Sequence, residues 1–133
     1  MTPSIAAAAV HEPERHILLV DDEPAMTRVV SRLLSIHGWK ATVVNMPQAA
    51  IELVREWPQR FQVVITDMSM PGMSGDELAH ALKQLAPHLP VILSTGGAEG
   101  TATLFAGTLP KPFEIQLLLD MVERCVGRAL VGL

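Results

Sequence analysis

The sequence predicts an α/β fold in which helices cover both faces of a parallel sheet. Four short apolar runs rich in β-branched residues recur along the chain, with amphipathic segments of helical spacing between them. Two of the runs are continuous rather than alternating, which is typical of strands covered on both faces. Strands that alternate with helices are joined by right-handed crossovers, and such crossovers produce a parallel sheet.

The four runs are predicted to form strands over residues 16–20, 40–44, 62–66 and 90–94. A weaker fifth strand is predicted over 106–109, immediately before a proline. β-branched and aliphatic side chains favour strands because they pack well on a pleated surface. The sequence therefore predicts five strands.

Helices are predicted in the segments that separate the strands. The first begins with Pro24, which the first turn tolerates, and ends at Gly38. The second covers about 47–57, the third starts after Ser74-Gly75 and ends before Pro87, and the last covers about 113–130. The side chains predicted to face the core are Met26, Val29, Val30, Leu33 and Leu34 in the first helix and Leu117, Leu118, Met121, Val122 and Cys125 in the last, with Thr27 on the opposite face of the first helix.

Composition limits the classes of function. The chain has 133 residues, suits one domain, and carries a net charge of −4, which argues against broad nucleic-acid binding. No apolar run reaches the ~20 residues of a membrane span. The single cysteine, Cys125, fits a reducing compartment, so we expect a cytoplasmic protein. We expect residues 1–14 to form an N-terminal tail and 15–133 to form the domain.

Polar residues follow four of the five predicted strands, at the edge where open parallel sheets bind ligands. Each has a simple structural explanation when taken alone, because acids cap helices and turns and lysines lie at surfaces. Their joint occurrence at one sheet edge indicates a functional site. These residues are Asp21, Asp22 and Glu23 after the first strand, Asp67 after the third, Ser94 and Thr95 after the fourth, and Lys111 after the fifth.

The donor atoms of this edge predict a magnesium site. Clustered carboxylates repel one another unless a cation neutralises them. A set of oxygen ligands without cysteine suits Mg²⁺ rather than zinc. The five histidines form no metal-spaced pair, and we expect all of them, His16 included, at the surface or its fringe. A carboxylate beside Mg²⁺ can attack phosphorus, and a lysine and a threonine can stabilise the transferred phosphoryl group.

Four segments together resemble the receiver domain of two-component response regulators and hybrid histidine kinases. They are LLVDDE at 18–23, ITDMSMPGMSG at 65–75, STG at 94–96 and LPKPF at 109–113, and the resemblance covers about residues 15–130. It implies a flavodoxin-like, doubly wound five-stranded parallel sheet with strand order 2-1-3-4-5.

The resemblance also implies a role for each acid. Asp67 would accept a phosphoryl group from a phosphohistidine on a histidine kinase or a histidine phosphotransferase. Asp22, Asp67 and the backbone carbonyl of Ser69 would bind Mg²⁺ directly, and Asp21 would act largely through water.

Two further residues would act on the phosphoryl group itself. Thr95 and Lys111 would contact its oxygens, and the Lys111–Pro112 bond would be cis, a bond found almost only before proline. The domain would catalyse only its own phosphorylation and dephosphorylation, without binding nucleic acid or inserting into a membrane. Residues alone leave open whether it is a stand-alone regulator or part of a hybrid kinase.

Two features depart from the family pattern. Thr108 stands where the family has an aromatic switch residue. Only residues 96–105 are available to join strands four and five, and three of them are glycines that disfavour a helix. We therefore expect a shortened or missing helix 4, with Leu104 and Phe105 packing onto the sheet.

Two other classes of function fit these residues less well. A magnesium-dependent phosphatase with an aspartate nucleophile usually needs a second acid two residues later, where this chain has Ser69. A flavin mononucleotide binder would need a phosphate loop after the first strand, where Asp21 and Asp22 would repel the phosphate.

Overall fold

The computed structural model describes residues 15–97 and 100–131, and for residues 128–131 it describes the backbone alone. The predicted tail of residues 1–14 lies outside the described residues. No helix in the described part of the chain is both long enough and apolar enough to cross a membrane.

Five parallel strands form one sheet in the order β2-β1-β3-β4-β5, as the resemblance implies. Two predicted strands have the observed bounds, and the other three are displaced by one residue. Each strand pairs with its neighbour over four or five residues, which fixes the register of the whole sheet. The strands are β1 (His16–Val20), β2 (Lys40–Val44), β3 (Val63–Asp67), β4 (Val91–Thr95) and β5 (Gly107–Pro110).

Four helices lie within two residues of their predicted bounds, and local chemistry explains where they begin. A proline occupies the first turn of each of the first two helices. Backbone N–H groups of the first turn have no partner within the helix, so the missing N–H of proline costs no hydrogen bond there. Ser74 begins the third by forming a capping box with Glu77. The helices are α1 (Pro24–Ile36), α2 (Pro47–Glu56), α3 (Gly75–Leu85) and α4 (Ile115–Val131).

The core has two parts, one on each face of the sheet. Helices α1 and α4 cover the face that carries Ile17, Leu19, Ile65, Ile92 and Leu109. Helices α2 and α3 cover the opposite face, which carries Leu18, Val20, Val64 and Val91. Burial on both faces explains why the strand segments are continuous apolar runs.

Three residues on two of the helices do not lie on the predicted face. Val29 is 57% exposed and Leu117 is 40% exposed, although both were predicted to face the core. Thr27, predicted on the outer face of α1, is buried, and its hydroxyl donates to the Pro24 carbonyl oxygen at 3.0 Å. That internal hydrogen bond removes most of the cost of burying a hydroxyl.

The prediction for His16 is wrong as well. The side chain is fully buried at the start of β1, which lies between β2 and β3 in the sheet. Its Nε2 lies 2.6 Å from the Thr42 hydroxyl oxygen, and its ring packs edge-on against Phe61. A polar ring is tolerated in a core when neighbouring groups satisfy it.

The connection between β4 and β5 is short, as expected. We call residues 96–106 the crossover. Its described residues form a single 3₁₀ turn, Ala102–Leu104, and no α-helix. Leu104 and Phe105 pack against the core that α2 and α3 cover, which confirms their expected anchoring role. Thr108 is exposed on β5.

Candidate functional site

Strand order brings the predicted site residues together at the carboxyl edge of the sheet. Neighbouring strands β1 and β3 end at the acids, and β4 and β5 end at Thr95 and just before Lys111. The amide of Lys111 donates to the Thr95 carbonyl oxygen at 2.8 Å, so the pairing of β4 and β5 continues to the site. Residues that are up to 90 positions apart in the sequence therefore meet at one edge.

Three carboxylates converge at this edge. Asp21, Asp22 and Asp67 each offer an oxygen within 4.8 Å of the others. Asp21 is buried, Asp67 is half-buried and Asp22 is exposed, so the cluster runs from the protein interior to solvent. Like charges at this separation repel one another, so the arrangement calls for positive charge.

Lys111 supplies one positive charge to the cluster. Its Nζ lies 3.1 Å from an Asp21 oxygen and 3.4 Å from an Asp67 oxygen. Burial by itself would lower the pKa of Lys111, but the hydrogen bond and charge of Asp21, followed by those of Asp67, outweigh burial. The pKa of Lys111 is therefore raised above the ordinary value of 10.5. The ammonium keeps its charge throughout the neutral range.

Backbone amides orient both of the acids that contact Lys111. The second oxygen of Asp21 accepts the amide of Glu23 at 2.9 Å, and Asp67 accepts the amide of Met68 at 2.8 Å. These bonds leave one oxygen of each acid to face the ammonium. The carboxylates are thus held in place by the turn that each of them begins.

Residues 68–74 form a loop that connects Asp67 to α3. The amide of Gly75 donates to the Met68 carbonyl oxygen at 2.7 Å, which closes the loop. A Cβ atom at position 75 would lie 2.5 Å from the Asp67 carbonyl oxygen, so only glycine fits there. Gly72 has φ +84°, a left-handed conformation that glycine adopts without strain.

Thr95 and Ser69 are the two predicted site residues that carry hydroxyl groups. Thr95 is buried at the end of β4, and its hydroxyl oxygen accepts the amide of Gly97 at 3.3 Å. Ser69 is exposed in the loop of residues 68–74, two residues after Asp67. The Lys111–Pro112 bond is cis, as the resemblance implies.

The donor set fits Mg²⁺. Three carboxylate oxygens can approach one centre, and the exposed position of Asp22 leaves that side open for water ligands. Mg²⁺ prefers oxygen ligands and keeps several of its waters, which this half-open cluster allows.

A family model described as the response regulator receiver domain matches residues 17–123. The chain belongs to this family. The response regulator FleR of Pseudomonas aeruginosa is 35% identical over 114 residues, which are 81% of this chain and 24% of FleR. The receiver protein CpdR of Brucella abortus is 31% identical over 116 residues, which are 83% of this chain and 95% of CpdR.

A solved structure shares the fold. The crystal structure of a receiver domain protein from Clostridium thermocellum superposes with a TM-score of 0.84 at 27% identity, over 89% of this chain and 98% of that one. The chain spans less than half the length of the first three curated relatives that it matches. Receiver domains are phosphoacceptor modules of two-component signalling, and this chain is such a domain. The phosphatase alternative is not favoured.

Of the predicted site residues with ionisable side chains, Asp21, Asp22, Asp67 and Lys111 meet in the structure. Glu23 is exposed, and only its backbone amide contacts the cluster. The sequence reasoning missed Gly75, whose lack of a side chain allows α3 to approach Asp67. A glycine directly after the helix-capping Ser74 was the available signal, because glycine is an unusual choice inside a helical turn.

Proposed function

We propose that Asp67 is the phosphoacceptor of this domain. It ends the strand next to β1, half-buried, with one oxygen bound by an amide and the other facing Lys111. The ammonium that bridges Asp21 and Asp67 is the observation that carries the proposal, because it places fixed positive charge beside a carboxylate nucleophile.

In the proposed roles, Mg²⁺ is held by Asp22, Asp67 and the backbone carbonyl of Ser69, and Asp21 acts through water. The ion would neutralise charge on the carboxylates and on the incoming phosphoryl oxygens. Asp21 also holds Lys111 beside the acceptor, since it makes the shorter of the two contacts to the ammonium.

The transfer step replaces one bond to phosphorus with another. An Asp67 oxygen bonds to phosphorus while the bond from phosphorus to the donor's histidine nitrogen breaks, and that electron pair stays on the imidazole. Lys111 and the Thr95 hydroxyl contact the transferred oxygens. In dephosphorylation a water oxygen bonds to phosphorus, and Asp67 leaves as a carboxylate while inorganic phosphate is released.

The chain's own activity is proposed to end with these two steps. A phosphatase acting on other molecules needs a second acid to protonate the leaving group and activate water. Ser69 occupies the position two residues after Asp67, and its hydroxyl cannot serve in that role.

A small phosphodonor tests the acceptor directly. The domain is incubated with acetyl phosphate and Mg²⁺, and its intact mass is followed with time. Wild type should gain one phosphoryl group that hydroxylamine removes, and Asp67→Asn should gain none. Asp120→Asn, an exposed acid on α4, is the matched control and should label like wild type. Equal labelling of wild type and Asp67→Asn would refute the assignment.

We also propose where the phosphohistidine donor docks. Pro24, Ala25 and Arg28 are exposed at the start of α1, and Pro112 and Phe113 follow Lys111 at the same sheet edge. Together they form a small apolar patch with one charge at its rim. The donor is a histidine kinase, a histidine phosphotransferase or another domain of a hybrid kinase.

Charge reversal at the rim tests this surface. Arg28→Glu should slow transfer from a phosphorylated donor protein but leave labelling by acetyl phosphate unchanged. Arg55→Glu, on the helix α2 that covers the other face of the sheet, is the matched control. An equal fall in both rates for Arg28→Glu would contradict a docking role.

We propose that the receiver domain comprises residues 15–133 and that 1–14 precede it as a tail. The start of β1 at His16 and the family match from residue 17 support this boundary. The one cysteine, buried on α4, supports a reducing cytoplasmic location.

A further inference from the structure

Asp76, on the first turn of α3, binds the crossover with both carboxylate oxygens. Its Oδ1 accepts the backbone amide of Thr101 at 2.9 Å, and its Oδ2 accepts the Thr101 hydroxyl at 2.8 Å. The two residues are 25 positions apart in the sequence. A paired contact to a carboxylate defines both distance and orientation, and bonds to a charged acceptor are stronger than neutral ones.

Two other contacts hold the crossover against α3. The Nζ of Lys83 donates to the Thr103 carbonyl oxygen at 3.1 Å, two turns further along the helix. Gly100 packs so tightly that a Cβ atom there would lie 2.5 Å from Phe105, 2.8 Å from Leu93 and 3.0 Å from Asp76. The described residues of the crossover thus form no α-helix and are held by side chains from α3 and from the sheet.

The same end of α3 contacts the phosphoacceptor. Gly75, the residue before Asp76, approaches the Asp67 carbonyl oxygen. Its amide bond to Met68 closes residues 68–74, which we call the phosphoacceptor loop. Asp76 therefore binds the crossover from a helical turn that packs against Asp67.

On the other side, the crossover begins at the site. Gly96 and Gly97 directly follow Thr95, and the amide of Gly97 contacts the Thr95 hydroxyl. Gly97 and Gly100 are three positions apart, so the position of Gly100 limits where Gly97 can lie. Without side chains, these glycines have little else to restrict their backbone.

We propose that Asp76 is a positioning residue for phosphoryl transfer: by binding Thr101, it holds the Gly96–Gly97 backbone, which follows β4, beside Asp67. The inference rests on the proposed function of Asp67 and extends it to a residue outside the acid cluster. No α-helix among the described residues of the crossover fixes Gly96 and Gly97 relative to the phosphoacceptor loop, and Asp76 takes on that role. It does not contact the phosphoryl group itself.

Four variants separate the two hydrogen bonds. Asp76→Ala removes both, Thr101→Val removes the hydroxyl bond, and Asp76→Asn and Thr101→Ser are conservative replacements that keep acceptor or donor atoms. Glu77→Ala is the matched control, because Glu77 is the next acid of the same turn and its carboxylate serves the capping box instead of the crossover.

Two readouts are combined. Hydrogen exchange is measured across residues 94–106, and acetyl phosphate labelling is measured with Mg²⁺ at a temperature where every variant is folded. In Asp76→Ala, exchange of the crossover amides should be about fivefold faster, the factor expected for loss of an exposed bond to a charged acceptor. Its labelling should be slower by about fivefold, because a displaced contact group lowers the rate without unfolding the protein. Thr101→Ser should keep the exchange protection and the labelling rate that Thr101→Val loses.

The outcomes distinguish the two proposals. Wild type that is not labelled at all overturns the assignment of Asp67 and the positioning role with it. Labelled wild type with an equal rate in Asp76→Ala overturns the positioning role alone. A rate loss in Glu77→Ala as large as that in Asp76→Ala also overturns it, because the cause would then be the stability of α3. Faster exchange and slower labelling confined to the Asp76 and Thr101 variants support it.

Discussion

The phosphoacceptor loop and the crossover lie at the same edge of the sheet, but they are held in different ways. The loop is closed by a backbone hydrogen bond at Gly75 and ends in the Ser74 capping box. The crossover is held by side chains, chiefly the carboxylate of Asp76 and the packing of Phe105. A loop closed by backbone contacts has little room to adjust to a larger side chain, whereas the side chains that hold the crossover can shift to accommodate one. The phosphoacceptor loop should therefore tolerate fewer substitutions than the crossover.

The largest effect is expected where a side chain would meet backbone. Gly75→Ala places a Cβ atom 2.5 Å from the Asp67 carbonyl oxygen, and we expect it to lower the free energy of unfolding by about 3 kcal/mol. Gly127→Ala in α4 is the control, because nothing lies within 4 Å of its Cβ position and alanine favours a helix by about 1 kcal/mol. Urea denaturation measures the free energy of unfolding of both variants. Wild-type stability in Gly75→Ala would show that the loop is not rigid.

A second large effect is expected at Lys111. Replacement by methionine leaves the carboxylates without their ammonium, and we expect a loss of about 2 kcal/mol at neutral pH with divalent ions chelated, discounted for partial exposure. Because the pKa of Lys111 is raised in the folded state, its contribution is complete below the ordinary value of 10.5 and is lost as the pH rises through the folded pKa.

Denaturation of wild type and Lys111→Met from pH 7 to strongly alkaline solution measures this difference. The gap in unfolding free energy should stay constant up to about pH 10 and then close. A gap that closes between pH 7 and 9 would show that the acids do not hold the lysine charged.

Asp22→Ala should weaken Mg²⁺ binding without unfolding the domain. Loss of a direct ligand should lower affinity at least about tenfold. Removing one of three repelling carboxylates should leave the metal-free domain as stable as wild type or slightly more stable. NMR titration with Mg²⁺ gives the affinity, and Glu23→Ala, the exposed neighbouring acid, should bind like wild type. Unchanged affinity in Asp22→Ala would remove it from the ligand set.

In the crossover the same glycine-to-alanine change should cost less. Gly100→Ala meets the side chains of Phe105 and Leu93, which can shift, and we expect a loss of about 1 kcal/mol. Gly97→Ala meets nothing within 4 Å and should change stability by less than ~0.5 kcal/mol. A cost for Gly100→Ala equal to that of Gly75→Ala would erase the difference between the two regions.

The smallest effect is expected on association. The crossover has no α-helix among its described residues. Thr108 stands where the family has an aromatic switch residue, so no ring at this position can link the site to the surface of the crossover and β5. A phosphoryl mimic should therefore change hydrogen exchange around Asp67 and Thr95 without producing a strong dimer. Light scattering with and without the mimic tests this. Dimerisation that is lost on mutating residues 101–105 would contradict it.

Much of the site could be predicted because its polar and charged residues come directly after predicted strands. Asp67 and Lys111 each follow an apolar run, and runs of that kind identify strands whatever their partners are. The burial of His16 was not predicted from its sequence neighbours, because it depends on contacts with Thr42 and Phe61, which lie far from it in the sequence. Val29 and Thr27 were misplaced because helical periodicity defines a face only to within about one residue. In the sequence, Asp76 is an ordinary acid in the first turn of a helix. Its hydrogen bond to Thr101 is visible only in the folded structure.

Local sequence patterns suffice to predict the alternation of strands and helices, the short crossover and the acids at the ends of β1 and β3. Those features depend on neighbouring residues, through hydrophobic periodicity, helix capping and the low helix propensity of glycine. The position of Lys111 between Asp21 and Asp67 and the contact of Asp76 with the crossover arise from the packing of the whole chain. Those contacts join residues 25 to 90 positions apart, and their distances depend on strand order and helix packing, which no local pattern encodes.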